Sequence, residues 1–206
     1  MGREEQLRRM IAQEAARLMY EEGVKEYRDA KRKAARRFGG QDRAPLGAHL
    51  PTNAEIHEQF RRLLALHEEQ ILPERLLRLR LLALRLMECL APFEPRLVGS
   101  VLKGTATERS DIDLHLFADS LEEVESHLAE RDIPFTTEIV SVRKDGEFRD
   151  FPHIYLDEEG VEVECSLYPR QDRHRVPRSS ITGRPMERAG IAALRKLLGR
   201  GLAGAA

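Results

Sequence analysis

Two carboxylates separated by one apolar residue, Asp111-Ile112-Asp113, are the side chains in this sequence best placed to do chemistry. The alternation from Asp111 to Phe117 predicts a strand, which sends both carboxylates to one face and Ile112 to the other. Like charges held this close repel, and a divalent cation between them is the usual compensation. Mg²⁺, or Mn²⁺ in its place, suits the pair, because a hard cation takes oxygen ligands and keeps positions for phosphate and water. Upstream, Gly99-Ser100 follows a predicted strand from Arg96 to Val98 and precedes a short helical segment. Backbone N–H groups and the Ser100 hydroxyl can meet a phosphate there without side-chain obstruction. Lys103 and Arg109 lie close enough in sequence to neutralise phosphate charge, although surface ion pairing is the commoner fate of such residues. His115 shares the strand face of the aspartates, where a packed or solvated imidazole is the ordinary expectation.

A lone D-x-D is weak, since acidic pairs on solvated strands are common. The longer pattern is more specific. Gly99-Ser100, then Gly104-Thr105, then Ser110-Asp111-Ile112-Asp113-Leu114 resembles the signature of the DNA polymerase beta nucleotidyltransferase superfamily, especially its minimal bacterial members. The resemblance covers roughly Arg96 to Leu167 and leaves the rest unassigned. It implies a metal-dependent transfer of a nucleoside monophosphate from an NTP such as ATP to a hydroxyl of a protein, RNA or small molecule, with pyrophosphate leaving. It also implies that Gly99 and Ser100 bind the triphosphate and that Asp111 and Asp113 hold metal; Lys103, Gly104, Arg109 and Ser110 are the further nucleotide-binding candidates around that turn. A third carboxylate is expected on a later strand. Glu162 and Glu164 are the candidates, sharing one face of Val161 to Cys165 while the valines and Cys165 face inward, and Glu164 is favoured.

The elements that must position these residues read as an α+β fold, a helical region over 1–94 packed on a small mixed sheet over 95–206. Arg3 to about Phe38 predicts two helices broken near Gly23 and ended by Gly39-Gly40, and a loop spans Gln41 to Pro51. Thr52 with Glu55 reads as a capping box opening a helix to about Gln70. Pro73 starts another, Glu74 to about Leu90, whose leucines fall on more than one side with arginine heads expected to reach outward. Beyond Pro95, strands are expected at Arg96 to Val98, Asp111 to Phe117, Thr136 to Arg143, His153 to Leu156 and Val161 to Leu167. A helix is expected from Ser120 to Arg131, a tight turn at Asp157 to Gly160, an Arg-rich loop from Pro169 to Pro185, and a last helix from about Met186 to Leu198.

Composition narrows the partners. A third of the residues are charged yet the net charge is −1, which describes Arg/Glu-laced helices rather than a uniformly basic nucleic-acid binder. Trp is absent, so a stacking platform for single strands has few aromatics to use. Cys89 and Cys165 lack a C-x-x-C partner and sit in apolar surroundings, which predicts reduced thiols. The charged N-terminus and lack of a ~20-residue apolar run predict a cytoplasmic protein without membrane contact. RNA contact is placed on Arg170, Arg173, Arg175, Arg178 and Arg184, with the basic run Lys25 to Arg37 more ordinarily a solvated helix face. Two rival functions stand beside the enzyme. One is a non-catalytic nucleotide- or partner-binding module, antitoxin-like or regulatory. The more distant one is a HEPN-like ribonuclease suggested by Arg62 and His67.

Overall fold

The computed structural model describes residues 2–38, 50–144, 147–179 and 181–203, and the Gly39-Gly40 stop and most of the expected 41–51 loop lie outside them. The chain divides into two compact units, Met1–Leu72 with Arg178–Arg184, and Pro73–Pro177 with Pro185–Ala206.

The first unit is helical. α1 (Arg3–Glu21) and α2 (Tyr27–Phe38) are separated where Gly23 takes φ 67°, a left-handed conformation that ends a helix at little cost only for glycine. α3 (Asn53–His67) opens at the expected capping box, with Thr52 N–H donating to Glu55 Oε2 at 2.7 Å and Glu55 N–H to Thr52 Oγ1 at 3.2 Å. Its core uses helical spacing: Ile11, Ala15 and Leu18 of α1 meet Ala30 and Ala34 of α2 and Ile56, Phe60 and Leu64 of α3. Arg8 grips Glu55 with two bonds, 2.9 and 2.7 Å, and this guanidinium above all holds the Glu55 carboxyl at about 2, well below its ordinary 4.5.

That displacement has a sign. Because the folded value lies below the unfolded one, the stabilisation is complete above about 4.5 and is lost as pH falls from there through about 2. Glu55→Gln should therefore melt below wild type at pH 7, with the gap closing as both are acidified. Calorimetric melts across that window check it, and a gap independent of pH would remove the Arg8–Glu55 pair as its cause. Both partners are about 40% exposed, so screening keeps the effect small.

α4 (Ile71–Cys89), which belongs to the second unit from Pro73 onward, starts two residues before that proline, since a proline in the first helical turn forfeits an N–H that has no intrahelical partner. Leu79, Leu82 and Leu86 are buried against the sheet while Leu81 stays half exposed. Two of its arginines turn inward rather than outward. Arg80 donates to the Val101 and Leu102 carbonyls at 3.0 and 3.2 Å, and Arg75 to that of Ala106 at 3.4 Å.

The sheet runs β1-β2-β5-β4-β3, with β1 (Arg96–Leu97), β2 (Ile112–Ala118), β3 (Phe135–Lys144), β4 (Glu147–Glu158) and β5 (Val161–Pro169). β2 and β5 are parallel and the other pairs antiparallel, which makes the sheet mixed as expected. β4 is much longer than the sequence suggests, because it pairs along nearly its whole length with β3. Glu159 (φ 54°) and Gly160 (φ 78°) form a two-residue turn with both central residues left-handed, the geometry that matches strand twist. One sheet face is apolar, Ile112, Leu114 and Leu116 beside Val163, Cys165 and Leu167, and it packs on α4, α6 (Leu121–Ala129) and α7 (Ile191–Ala203). Burial pushes the Cys165 thiol far up, so it is inert, while Cys89 is only half buried. α7 begins five residues later than expected. Ala189 and Leu97 exchange backbone bonds of 2.8 and 2.9 Å, so the chain stays extended beside β1 until Gly190.

Candidate active site

The second face of the sheet carries the polar residues. Asp113, His115 and Phe117 of β2 lie on it at two-residue intervals, beside Glu164, Ser166 and Tyr168 of β5 and His153 and Tyr155 of β4. In the parallel register Asp113 is the direct partner of Glu164. Their backbones therefore run about 4.8 Å apart, with both side chains on one side. Glu162 is exposed and pairs with Asp157 of β4, beyond the end of the β2 ladder, where Ile112 meets Val163. Asp111 precedes β2 by one residue and is half buried.

The Gly99 turn adjoins this pair. Val98 N–H donates to the Asp113 carbonyl at 3.0 Å, and the chain then enters α5 (Gly99–Lys103). Gly99 has φ 68°, and a Cβ built on it would fall 2.8 Å from Asp113 Cγ and closer still to its Oδ2. Glycine is required here twice, by conformation and by the carboxylate lying over it. Ser100 is half buried in the first turn of α5, and its carbonyl accepts from Thr105 N–H at 3.0 Å. Gly104 (φ 77°) closes the helix, and Ser110 Oγ accepts from Thr107 N–H at 2.9 Å to shape the turn that delivers Asp111. These two residues thus have evident structural roles in placing the loop. Lys103 is half buried and Arg109 exposed.

Glu164 has a partner that the sequence analysis does not foresee. His153 Nδ1 lies 2.6 Å from Glu164 Oε1, and the histidine is buried. The signal was available in principle, because the two-residue turn at Glu159-Gly160 fixes the β4–β5 register and counting back from it brings His153 opposite Ser166. Asp111, Asp113 and Glu164 offer only oxygen donors, a set that fits Mg²⁺ or Mn²⁺ in type, and the cradle left by Gly99 admits the Asp113 carboxylate beside the turn. Among the described residues, however, no three His, Cys, Asp or Glu side chains converge closely enough to hold a metal. Glu164 is turned to His153, and the Asp113 carboxylate lies against Gly99.

A family model described as a nucleotidyltransferase domain matches residues 86–188, half of the chain. The chain belongs to the nucleotidyltransferase domain family. No curated relative matches the chain.

The matched nucleotidyltransferase domain runs from the end of α4 to Arg188, and so contains the Gly99 turn, both aspartates, Glu164 and His153. Its sheet face also bears an aromatic cluster that composition alone conceals. Tyr168 has ring neighbours in His115 (4.7 Å), Phe151 (5.2 Å) and Phe117 (6.0 Å), and Arg188 lies 5.9 Å over the Phe117 ring. His115 is thereby packed, at 7% exposure, and burial raises the Tyr168 phenol above its ordinary value. In the Arg-rich loop, a short 3-10 turn at Arg170–His174 replaces part of the expected irregular chain. Arg170 pairs with Asp119 and Glu123, Arg173 lies 3.6 Å from Glu94, and Arg175 is exposed.

Among its described residues, the helical unit shows none of these site features. On α3, Arg62 pairs with Glu58 one turn away at 3.2 Å, and His67 stacks on Tyr20 with ring centroids 5.7 Å apart. Within the basic run, Arg37 pairs with Glu14 and Glu22, Arg32 with Asp29, and Lys31 with Asn53. In the same unit Arg178 donates to the Gly183 carbonyl at 2.9 Å, and Arg184 is exposed. No helix among the described residues is long and apolar enough to cross a membrane.

Proposed function

We propose that this nucleotidyltransferase domain moves a nucleoside monophosphate from an NTP to a hydroxyl acceptor on a protein, an RNA end or a small molecule, releasing pyrophosphate. The observation that carries the reading is the in-register pairing of Asp113 with Glu164 directly beside the Gly99 turn. Asp111, Asp113 and Glu164 would hold divalent metal, which in such sites stabilises charge on the attacking and leaving oxygens of an in-line displacement. The chain's own part is then positional. Gly99 allows the triphosphate to approach the backbone, and the Ser100 hydroxyl supplies a donor to its oxygens. Glu164 would receive the acceptor proton as the acceptor oxygen bonds to the α-phosphorus and the bond to the β-phosphate oxygen breaks. The low aromatic content and near-neutral charge suit an acceptor held by shape as much as by a basic surface.

A second reading, a domain that binds nucleotide without transferring it, uses the same turn, because Gly99 and Ser100 can meet a phosphate whether or not transfer follows. One experiment separates them. The protein is incubated with each radiolabelled NTP and Mg²⁺ against a cell lysate, and the labelled macromolecule or metabolite is sought. Label requiring both aspartates supports the enzyme, whereas tight nucleotide binding with no labelled acceptor supports the binder. In a parallel titration, Asp111→Asn combined with Asp113→Asn should abolish the Mg²⁺-dependent part of NTP affinity. Calorimetry with unchanged Mg²⁺ dependence would sink the site assignment.

A further inference from the structure

We infer that His153 is a positioning residue for Glu164, holding one carboxylate oxygen so that the other is presented along the row shared with Asp113. The inference rests on the nucleotidyltransferase reading above and adds a residue to it. An ionised carboxylate can only accept, so the nitrogen 2.6 Å from Glu164 Oε1 carries the proton, which fixes the His153 tautomer with hydrogen on Nδ1. Glu164 is 28% exposed and has three rotatable bonds, whereas the His153 side chain is 11% exposed and wedged beside Tyr155, ring centroids 6.4 Å apart. The imidazole is therefore the fixed partner and the glutamate the one held.

Glu164 needs this support because its strand neighbour is Asp113, and two adjacent carboxylates drive each other apart. An N–H on the far side of Glu164, delivered from β4, offsets that repulsion from a third strand. It also takes up Nδ1, which in this tautomer has no lone pair to offer a cation. Partners of this kind, which fix the orientation of a ligating carboxylate, commonly change metal affinity or activity by about 10–100-fold when removed.

The test uses the full chain with three variants, His153→Ala, His153→Asn and His153→Gln. Mn²⁺ binding is followed by electron paramagnetic resonance in the presence of a non-hydrolysable ATP analogue, and melting temperature is recorded for each. The asparagine amide can place an N–H near the Nδ1 position, whereas the glutamine amide places it near Nε2. His153→Ala should weaken Mn²⁺ binding by about 10–100-fold, with analogue affinity measured without metal unchanged. His153→Asn should recover most of that loss and His153→Gln little of it. Where transfer is detected, kcat should follow the same order and nucleotide KM should not. Equal Mn²⁺ affinity in wild type and His153→Ala, or equal rescue by Asn and Gln, overturns the inference while leaving the parent reading intact. Absence of nucleotide-dependent Mn²⁺ binding in the wild type overturns the parent reading and the inference together. Should His153→Ala fail to fold, nitrogen NMR of the imidazole decides. The Nδ1 resonance should shift between wild type and Glu164→Gln, and an unmoved resonance counts against the pair.

Discussion

Glu164→Gln should cut transfer severely while leaving nucleotide bound. The substitution keeps length and shape, and the amide oxygen can still accept from His153, so what disappears is one negative charge and one proton acceptor. Both matter most as the acceptor hydroxyl ionises, so the loss belongs in turnover rather than in KM. A general base is worth on the order of 10²–10⁴-fold, and that is the expected fall in kcat. Glu162→Gln is the matched comparison. Glu162 is two residues away on the same strand face, but it is exposed and lies past the point where β5 leaves β2, so its replacement should change kcat by less than about twofold. Steady-state kinetics on both variants settle the ranking. If Glu162→Gln proves the more damaging, the role moves to Glu162, and if neither matters, the domain binds nucleotide without using a third carboxylate.

Gly99→Ala should be the most damaging single-methyl change in the domain. It combines a left-handed conformation, costing a residue with a side chain about 1–2 kcal/mol, with direct overlap of the new Cβ and the Asp113 carboxylate. Asp113 must rotate away, so Mg²⁺-dependent nucleotide affinity should fall by at least about tenfold, the scale of one lost charged hydrogen bond. Gly160→Ala isolates the first cost. Its φ of 78° is equally left-handed but nothing lies within 4 Å of the added methyl, so the melting temperature should drop while nucleotide affinity holds. Calorimetric titration and melting of both variants make the comparison. Wild-type affinity in Gly99→Ala would show that the contact with Asp113 has no part in binding.

The readable parts of the molecule were those governed by local rules. The capping box at Thr52 and Glu55, the break at Gly23 and the two-residue turn at Glu159-Gly160 each follow from a few adjacent residues, and the structure contains all three. The inward-facing β5 pattern was equally legible, since Val163 and Cys165 are buried and Glu162 and Glu164 are not. What escaped depends on partners distant in sequence. α7 starts late because Ala189 is claimed by Leu97, and Arg80 turns inward because unsatisfied carbonyls of α5 lie within its reach. For the site, the D-x-D spacing put Asp111 and Asp113 together, but only the parallel β2–β5 register distinguishes Glu164 from Glu162 by position. Periodicity alone places both on one face and goes no further. His153 was hidden for the same reason, its importance being set by a strand that precedes Glu164 and pairs with it in reverse.

The parallel β2–β5 ladder also bears on how the domain comes into being. Asp113 and Glu164 meet only after the chain has closed a loop of roughly fifty residues, an entropic expense that local elements such as the β4–β5 hairpin do not face. The hairpin can zip on its own turn, but β2 must be docked along its edge before the two carboxylates become neighbours. Docking brings them together against their mutual repulsion, so the ladder closes uphill electrostatically unless something of opposite charge arrives with it. A ligand that bridges them therefore rewards a late, non-local contact of the sheet, and its binding energy becomes stability of this ladder in particular. Hydrogen exchange in β2 and β5 would register occupancy of the site as slower opening, with the outer strand β3 far less affected.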